Sequence, residues 1–139
     1  MEVKYKVWQP SNIYPSAKIG EGSNIGMFVE IWRNVVIGKN CKIGFGAFIP
    51  EGVTIGDNVF IGPRVCFTND KHPKAIGDWK ISPTIVRDGA SIGANATILP
   101  GICIGRNAMV GSGSVVTHSV DDDITVVGNP AKKIKYENR

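Results

Sequence analysis

No apolar run in these 139 residues approaches the ~20 that a membrane-spanning helix needs. The opening stretch MEVKYKVWQP also lacks the apolar core of a secretion signal. The expectation from both is a soluble, cytoplasmic chain with no membrane partner. Cysteine is scarce and unpaired: Cys41, Cys66 and Cys103 are odd in number and widely spaced. They form neither a disulfide framework nor a C-x-x-C metal knuckle. Histidine is scarcer still, with only His72 and His118, so a metal cofactor is not expected. Clustered positive charge is also missing. The 16 Lys and Arg exceed the 12 Asp and Glu, for a formal charge of +4, but they are scattered along the chain. That excludes an obvious nucleic-acid patch and suits polyanionic small molecules instead. Charged residues at 20% and hydrophobic ones at 42% exclude a disordered tail, and the length is that of one domain, residues 1–139.

Glycine, by contrast, is abundant at 17 residues, and its placement follows an internal repeat. From Ile13 a large apolar residue recurs every six positions through Ile19, Ile25, Ile31, Ile37, Ile43, Ile49, Ile55 and Ile61 to Phe67. The series resumes at Val86 and runs through Ile92, Ile98, Ile104 and Val110 to Val116, giving sixteen hexapeptides. Four residues after most of these sits a small or β-branched companion, Ala17 or Val29 for example, and Val120 is the last of them. A period of six matches no amphipathic helix. It fits short strands joined by sharp turns, three repeats to a coil, so that each large residue stacks on its counterpart three repeats later. The expected fold is therefore all-β, a prism of about five coils roughly 25 Å tall at ~4.8 Å per rung, with no helix before residue 119. Glycine follows the large residue in nine of the sixteen repeats, which reads as a demand for tight corners.

Three segments break the repeat. Residues 1–12 carry none, and Val7 and Trp8 are placed to cap the lower end. Residues 121–139 contain the Gly128-Asn129-Pro130 turn and suggest a reversed final strand or short helix over the top. The interval from Phe67 to Val86 is far longer than one repeat requires. The segment Thr68–Pro83 is polar and has to loop out of the wall, and a long excursion in a regular solenoid usually has a task. It holds His72 beside Asn69 and Asp70, and a neutral imidazole accepts protons near pH 7. His118 reads as solvated surface. Trp32 and Pro50 replace the glycine in two repeats. With Glu30, Glu51 and Arg64 they are candidates for a substrate groove or for packing between subunits.

The texts IGEGSN, IGKNCK, IGDNVF, IGANAT and IGRNAM resemble the hexapeptide-repeat acyltransferases. That resemblance implies a left-handed parallel β-helix and a homotrimer with its active site between subunits. CFTNDKHPKA and the tail VVGNPAKKI look like the branch that N-acetylates 3-amino sugars on nucleotide carriers, with similarity from about residue 30 to Tyr136. The implied acyl donor is acetyl-CoA and the implied acceptor a sugar or nucleotide sugar of surface-polysaccharide pathways. The resemblance places Asn69 beside the sugar amino group, with Asp70 and His72 in the catalytic loop. Ala94, Gly111 and Gly113 would admit a pantetheine arm, Lys132 and Lys133 would meet the CoA phosphates, and Pro130 joins them as a cofactor-binding residue. His72-Pro73 is also similar to galactoside- and maltose-type O-acetyltransferases, where the histidine is the general base. Two further readings are a non-catalytic trimeric scaffold and a hydratase of the γ-carbonic-anhydrase kind. The latter needs three histidines per site, of which this chain supplies at most two.

Overall fold

The structure is a computed structural model and describes residues 4–134. Its strands are mostly two residues long and form three parallel sheets. Sheet I is built from Lys6–Val7, Asn24–Ile25, Lys42–Ile43, Phe60–Ile61, Ser91–Ile92, Met109–Val110 and Thr125–Gly128, closed by the antiparallel Ala131–Lys133. Sheet II contains Asn12–Ile13, Glu30–Ile31, Phe48–Ile49, Cys66–Phe67, Thr97–Ile98 and Val115–Val116. Sheet III contains Lys18–Ile19, Val36–Ile37, Val53–Ile55, Thr84–Val86 and Cys103–Ile104. The chain visits I, II and III in turn, and each strand pairs with the one a full coil later. This is the left-handed parallel β-helix that the resemblance implies, and no helix occurs among the described residues.

Large side chains meet in register: Ile25 pairs with Ile43, Ile31 with Ile49, and Ile37 with Ile55. All six are buried, and with Phe67, Ile92, Ile98 and Ile104 they form one continuous column. Burying such a side chain fully stabilises by roughly 1.5–3 kcal/mol, so the column supplies the main folding force. The small companions complete the rungs. Val29, Val35, Ala47 and Ala96 are buried, and Ser23 satisfies itself by donating to the Gly38 carbonyl while accepting from the Cys41 N–H.

The prism has about seven turns, not five. The repeat continues past both of its expected ends. Lys6–Val7 pairs with Asn24–Ile25, so Val7 is the first rung rather than a cap. At the top, Val120 bridges to Ile104 and Val126 pairs with Val110. Val120 is therefore the next large residue and not a companion. The corner after Val116 is short by two residues, and the six-residue period resumes shifted. The expected reversed strand is present as Ala131–Lys133, while Tyr136 and the rest of 135–139 lie outside the described residues.

The role of glycine also differs from the expectation. The turn-forming, left-handed residue is the third after most of the large ones. Asn34, Asn40, Asn58, Asn95 and Asn107 stand there with φ near 60°, as do Gly22, Gly46, Gly89, Gly101 and Gly113. Asparagine and glycine tolerate that conformation best. The glycine directly after the large residue is required for a different reason. A Cβ on Gly20 would lie 2.5 Å from the Gly38 backbone, and one on Gly62 2.7 Å from the Ala94 nitrogen. At these corners the coils stack too closely for a side chain.

Candidate functional site

Residues 68–83 replace a three-residue corner between sheets II and III. The coil above is not displaced: Ile55 still pairs with Val86, and Phe67 with Ile98. The loop is anchored at its base. Ser82 N–H donates to the Asn69 carbonyl at 2.8 Å, and Thr68 donates through both its N–H and its hydroxyl to the Ile98 carbonyl. Asn69 Nδ2 donates to the Glu51 carbonyl one coil below at 3.0 Å. With its amide nitrogen committed to the wall, Asn69 keeps Oδ1 as an acceptor. Asp70 Oδ1 accepts from the His72 N–H at 2.9 Å, a turn typical of Asx residues.

Between this loop and sheet II lies a cavity of about 650 Å³. Its floor is Phe48, Cys66 and Phe67. Its walls include Asn69, Asp70, Leu99 and Pro100, with Lys71, Lys74 and Trp79 contributed by the loop. Burial pushes the Cys66 thiol above its ordinary pKa, so it lines the floor as a neutral group. His72 does not line this cavity. It is exposed and faces an adjoining cleft, with Asp70, Lys71, Lys74, Asp78, Lys80 and Ser82. His118 is exposed, as expected, with Nδ1 2.9 Å from the Thr117 hydroxyl.

The candidate substrate residues divide into two groups. Glu30, Trp32 and Glu51 lie on sheet II or its outer corner, one and two coils below the loop. Trp32 donates to Glu30, stacks on Tyr14 at 5.1 Å and meets Phe48 edge-on at 6.4 Å. This aromatic column therefore runs up into the cavity floor. The Glu51 carboxylate is held by Arg33 at 2.9 Å, leaving its backbone carbonyl as the link to Asn69. Arg64 does not join them. It stands at the opposite edge of sheet II, its guanidinium 5.7 Å from the Phe45 ring.

That opposite edge also carries Ala94, Gly111 and Gly113. Gly113 N–H donates to the Ala94 carbonyl at 2.8 Å. Beside them a groove of about 510 Å³ is lined by Phe60, Gly93, Gly111, Ser112, Val127 and Ile134. Lys132 and Lys133 are both exposed on the final strand, opposite Val127 and Val126. Consecutive strand residues point to opposite faces. Lys133 borders a small cleft over the top rung with Val116, Asp121 and Val126, so the two lysines do not form one patch. Pro130 lies in the exposed turn before this strand.

The sequence reading missed Phe48, Cys66, Tyr14 and Trp79. The first two had an available signal: they occupy the outward position of sheet II strands and stand one full coil apart, as do Tyr14 and Trp32. Trp79 had none, because the repeat does not extend into the loop. No helix among the described residues is long and apolar enough to cross a membrane.

The bacterial transferase hexapeptide profile (six repeats) matches residues 16–51, 34–69 and 83–118. A 3-N-acetyltransferase of dTDP-3-amino-3,6-dideoxy-α-D-galactopyranose from Aneurinibacillus thermoaerophilus is 57% identical over 49 residues, 35% of this chain and 26% of its own length. A 2,3,4,5-tetrahydropyridine-2,6-dicarboxylate N-acetyltransferase of Staphylococcus aureus is 48% identical over 54 residues, 39% of this chain and 23% of that protein. PerB from Caulobacter crescentus, solved with CoA and GDP-perosamine, superposes with a TM-score of 0.78 at 28% identity, covering 90% of this chain and 55% of PerB. The chain thus spans about a quarter of the length of the curated relatives it matches.

Proposed function

This chain belongs to the bacterial transferase hexapeptide family, and from that premise we propose that it is an acetyl-CoA-dependent N-acetyltransferase whose acceptor is an amino sugar carried on a nucleotide. The setting of the reading is surface-polysaccharide biosynthesis in the cytoplasm. One observation carries the choice of an amine over a hydroxyl: the loop cavity contains Asn69 and omits His72. The amine nitrogen attacks the acetyl carbonyl carbon, a tetrahedral oxyanion forms, and the C–S bond breaks to release CoA thiolate. The proton lost by nitrogen neutralises the departing sulfur through solvent or an acidic group. A deprotonated amine is nucleophilic enough that orientation and backbone N–H donors supply much of the rate. An acceptor oxygen such as Asn69 Oδ1 holds the amine by its N–H bonds. A hydroxyl acceptor would instead need a base inside the cavity, and His72 stands outside it.

In one chain the donor-side residues Ala94, Gly111 and Gly113 and the acceptor-side Asn69 flank opposite edges of sheet II. A homotrimer that seats the loop of one chain against the opposite edge of the next brings the two sets together. Exposed Phe28, Phe45 and Phe60 near that edge offer apolar surface for such packing. Light scattering should give three times the 14.9 kDa chain mass, and a stable monomer at micromolar concentration would overturn the shared site.

Free-thiol release from acetyl-CoA against a panel tests the activity itself. The panel holds nucleotide-linked amino sugars, unlinked amino sugars, tetrahydropyridine dicarboxylate and simple galactosides. Turnover only with the galactosides would transfer the assignment to O-acetylation. The same assay examines Lys132 and Lys133. Replacing Lys132 and Lys133 together by Glu should raise the KM for acetyl-CoA by about tenfold and weaken its salt dependence, with little effect on the acceptor KM. An unchanged donor KM would place the CoA phosphates elsewhere.

A further inference from the structure

Trp79 is the one tryptophan whose side chain the fold does not use. Trp8 donates its indole N–H to Asn24 Oδ1 at 3.1 Å and lies under the Lys6 ammonium. Trp32 donates to Glu30 and stacks on Tyr14. Among the described residues Trp79 meets no ring and no indole acceptor, is 50% exposed, and still lines the loop cavity. Half of this large aromatic side chain stays in water, although Leu99 and Pro100 line the same cavity. The loop is fastened at its base by Asn69, Thr68 and Ser82, so the ring is presented by an anchored segment. Lys71 and Lys74 border both this cavity and the adjoining cleft, as does Asp70.

We propose that the 68–83 loop selects the acceptor, with Trp79 as the platform for the sugar ring and Lys71 and Lys74 as the receivers of its phosphate. The assignment rests on the amine reading of the same cavity and adds the two groups that decide which amine enters. A deoxyamino sugar has an apolar face of C–H bonds and a polar edge. A flat indole with a negatively polarised face attracts the first and leaves the second free. With the ring on Trp79, its edge is directed to Asn69, which orients the amino group. Two lysines bordering the cavity match a diphosphate, and ammonium–phosphate hydrogen bonds are of the strong, charge-assisted kind. A free amino sugar would gain nothing from them.

Calorimetric titration with dTDP-3-amino-3,6-dideoxygalactose separates this assignment from the activity on which it rests. Binding should weaken at least tenfold in Trp79→Ala and recover to within about threefold of wild type in Trp79→Phe, which keeps a ring face. The double variant Lys71→Ala, Lys74→Ala should lose about tenfold and flatten the salt dependence of binding. In the transfer assay these losses should appear in acceptor KM, with the KM for acetyl-CoA unchanged. Affinity unchanged by removal of the ring, or by removal of both lysines, overturns the proposal. Wild-type protein that binds the sugar through these groups but transfers no acetyl group sinks the proposed reaction alone. Wild-type protein that does not bind it sinks both.

Discussion

Asn69→Ala should reduce kcat/KM for the amino-sugar acceptor by at least about a hundredfold, near 2.7 kcal/mol of barrier, while His72→Ala loses no more than about tenfold. Asn69 links the loop to the wall through the Glu51 carbonyl, lines the cavity and keeps Oδ1 as an acceptor. Its removal costs both the orientation of the amine and part of the loop's anchoring, and misplacement by about 1 Å can alone cost a hundredfold. Asn69→Asp tests the anchoring: it keeps an acceptor oxygen but replaces the donated hydrogen bond by a carboxylate set against the Glu51 carbonyl, and adds a negative charge. His72 is exposed and lines the adjoining cleft rather than the cavity, so its loss does not touch the amine. A hydroxyl acceptor reverses the ranking, because a general base contributes ~10²–10⁴. A dead His72→Ala beside an active Asn69→Ala would therefore reject the amine assignment.

The second large effect is on stability and tests how tightly the coils stack. Gly62→Ala should destabilise the chain by about 3 kcal/mol, seen as a lower denaturation midpoint. The added methyl would fall 2.7 Å from the Ala94 nitrogen and 2.9 Å from the Ile92 carbonyl oxygen. Those are backbone atoms of the next coil, which can yield only by opening the ladder above and below. Gly113→Ala is the contrast. Nothing lies within 4 Å of its missing Cβ, but its φ of 71° is left-handed. Its cost should be the conformational penalty alone, about 1 kcal/mol. Equal costs at the two positions would show that turn conformation, not coil spacing, governs both.

These two glycines also show what the sequence made legible. The six-residue period fixed the prism, the in-register column of isoleucines and the boundaries of the loop, because one stacking interaction repeats along the chain. It did not distinguish the reasons for glycine, since a close approach and a left-handed turn both select a residue without Cβ. The ends were misread for a related cause. Val7 stands in period, but its surroundings do not repeat. Val120 lies past a corner two residues short, so counting by six labels it a companion. At the site, Asn69 and Asp70 were found by resemblance to a motif and do line the cavity. Arg64 was grouped with Glu30 and Trp32 by irregularity alone, and irregular positions occur at every corner. Trp79 lies where no period applies, and only the folded loop reveals its position.

The uninterrupted register across the inserted loop has a consequence for how such a chain can change. Ordinary coil contacts join residues three repeats apart, as Ile37 meets Ile55, whereas across the loop Ile55 meets Val86. Since closure entropy grows only logarithmically with length, the longer ring costs about half a kcal/mol more. That is less than one buried methyl group. The segment that chooses the acceptor can therefore be lengthened, shortened or exchanged with almost no effect on the stability of the stack that carries it. New acceptors can be explored at this one corner while every other coil stays as it is.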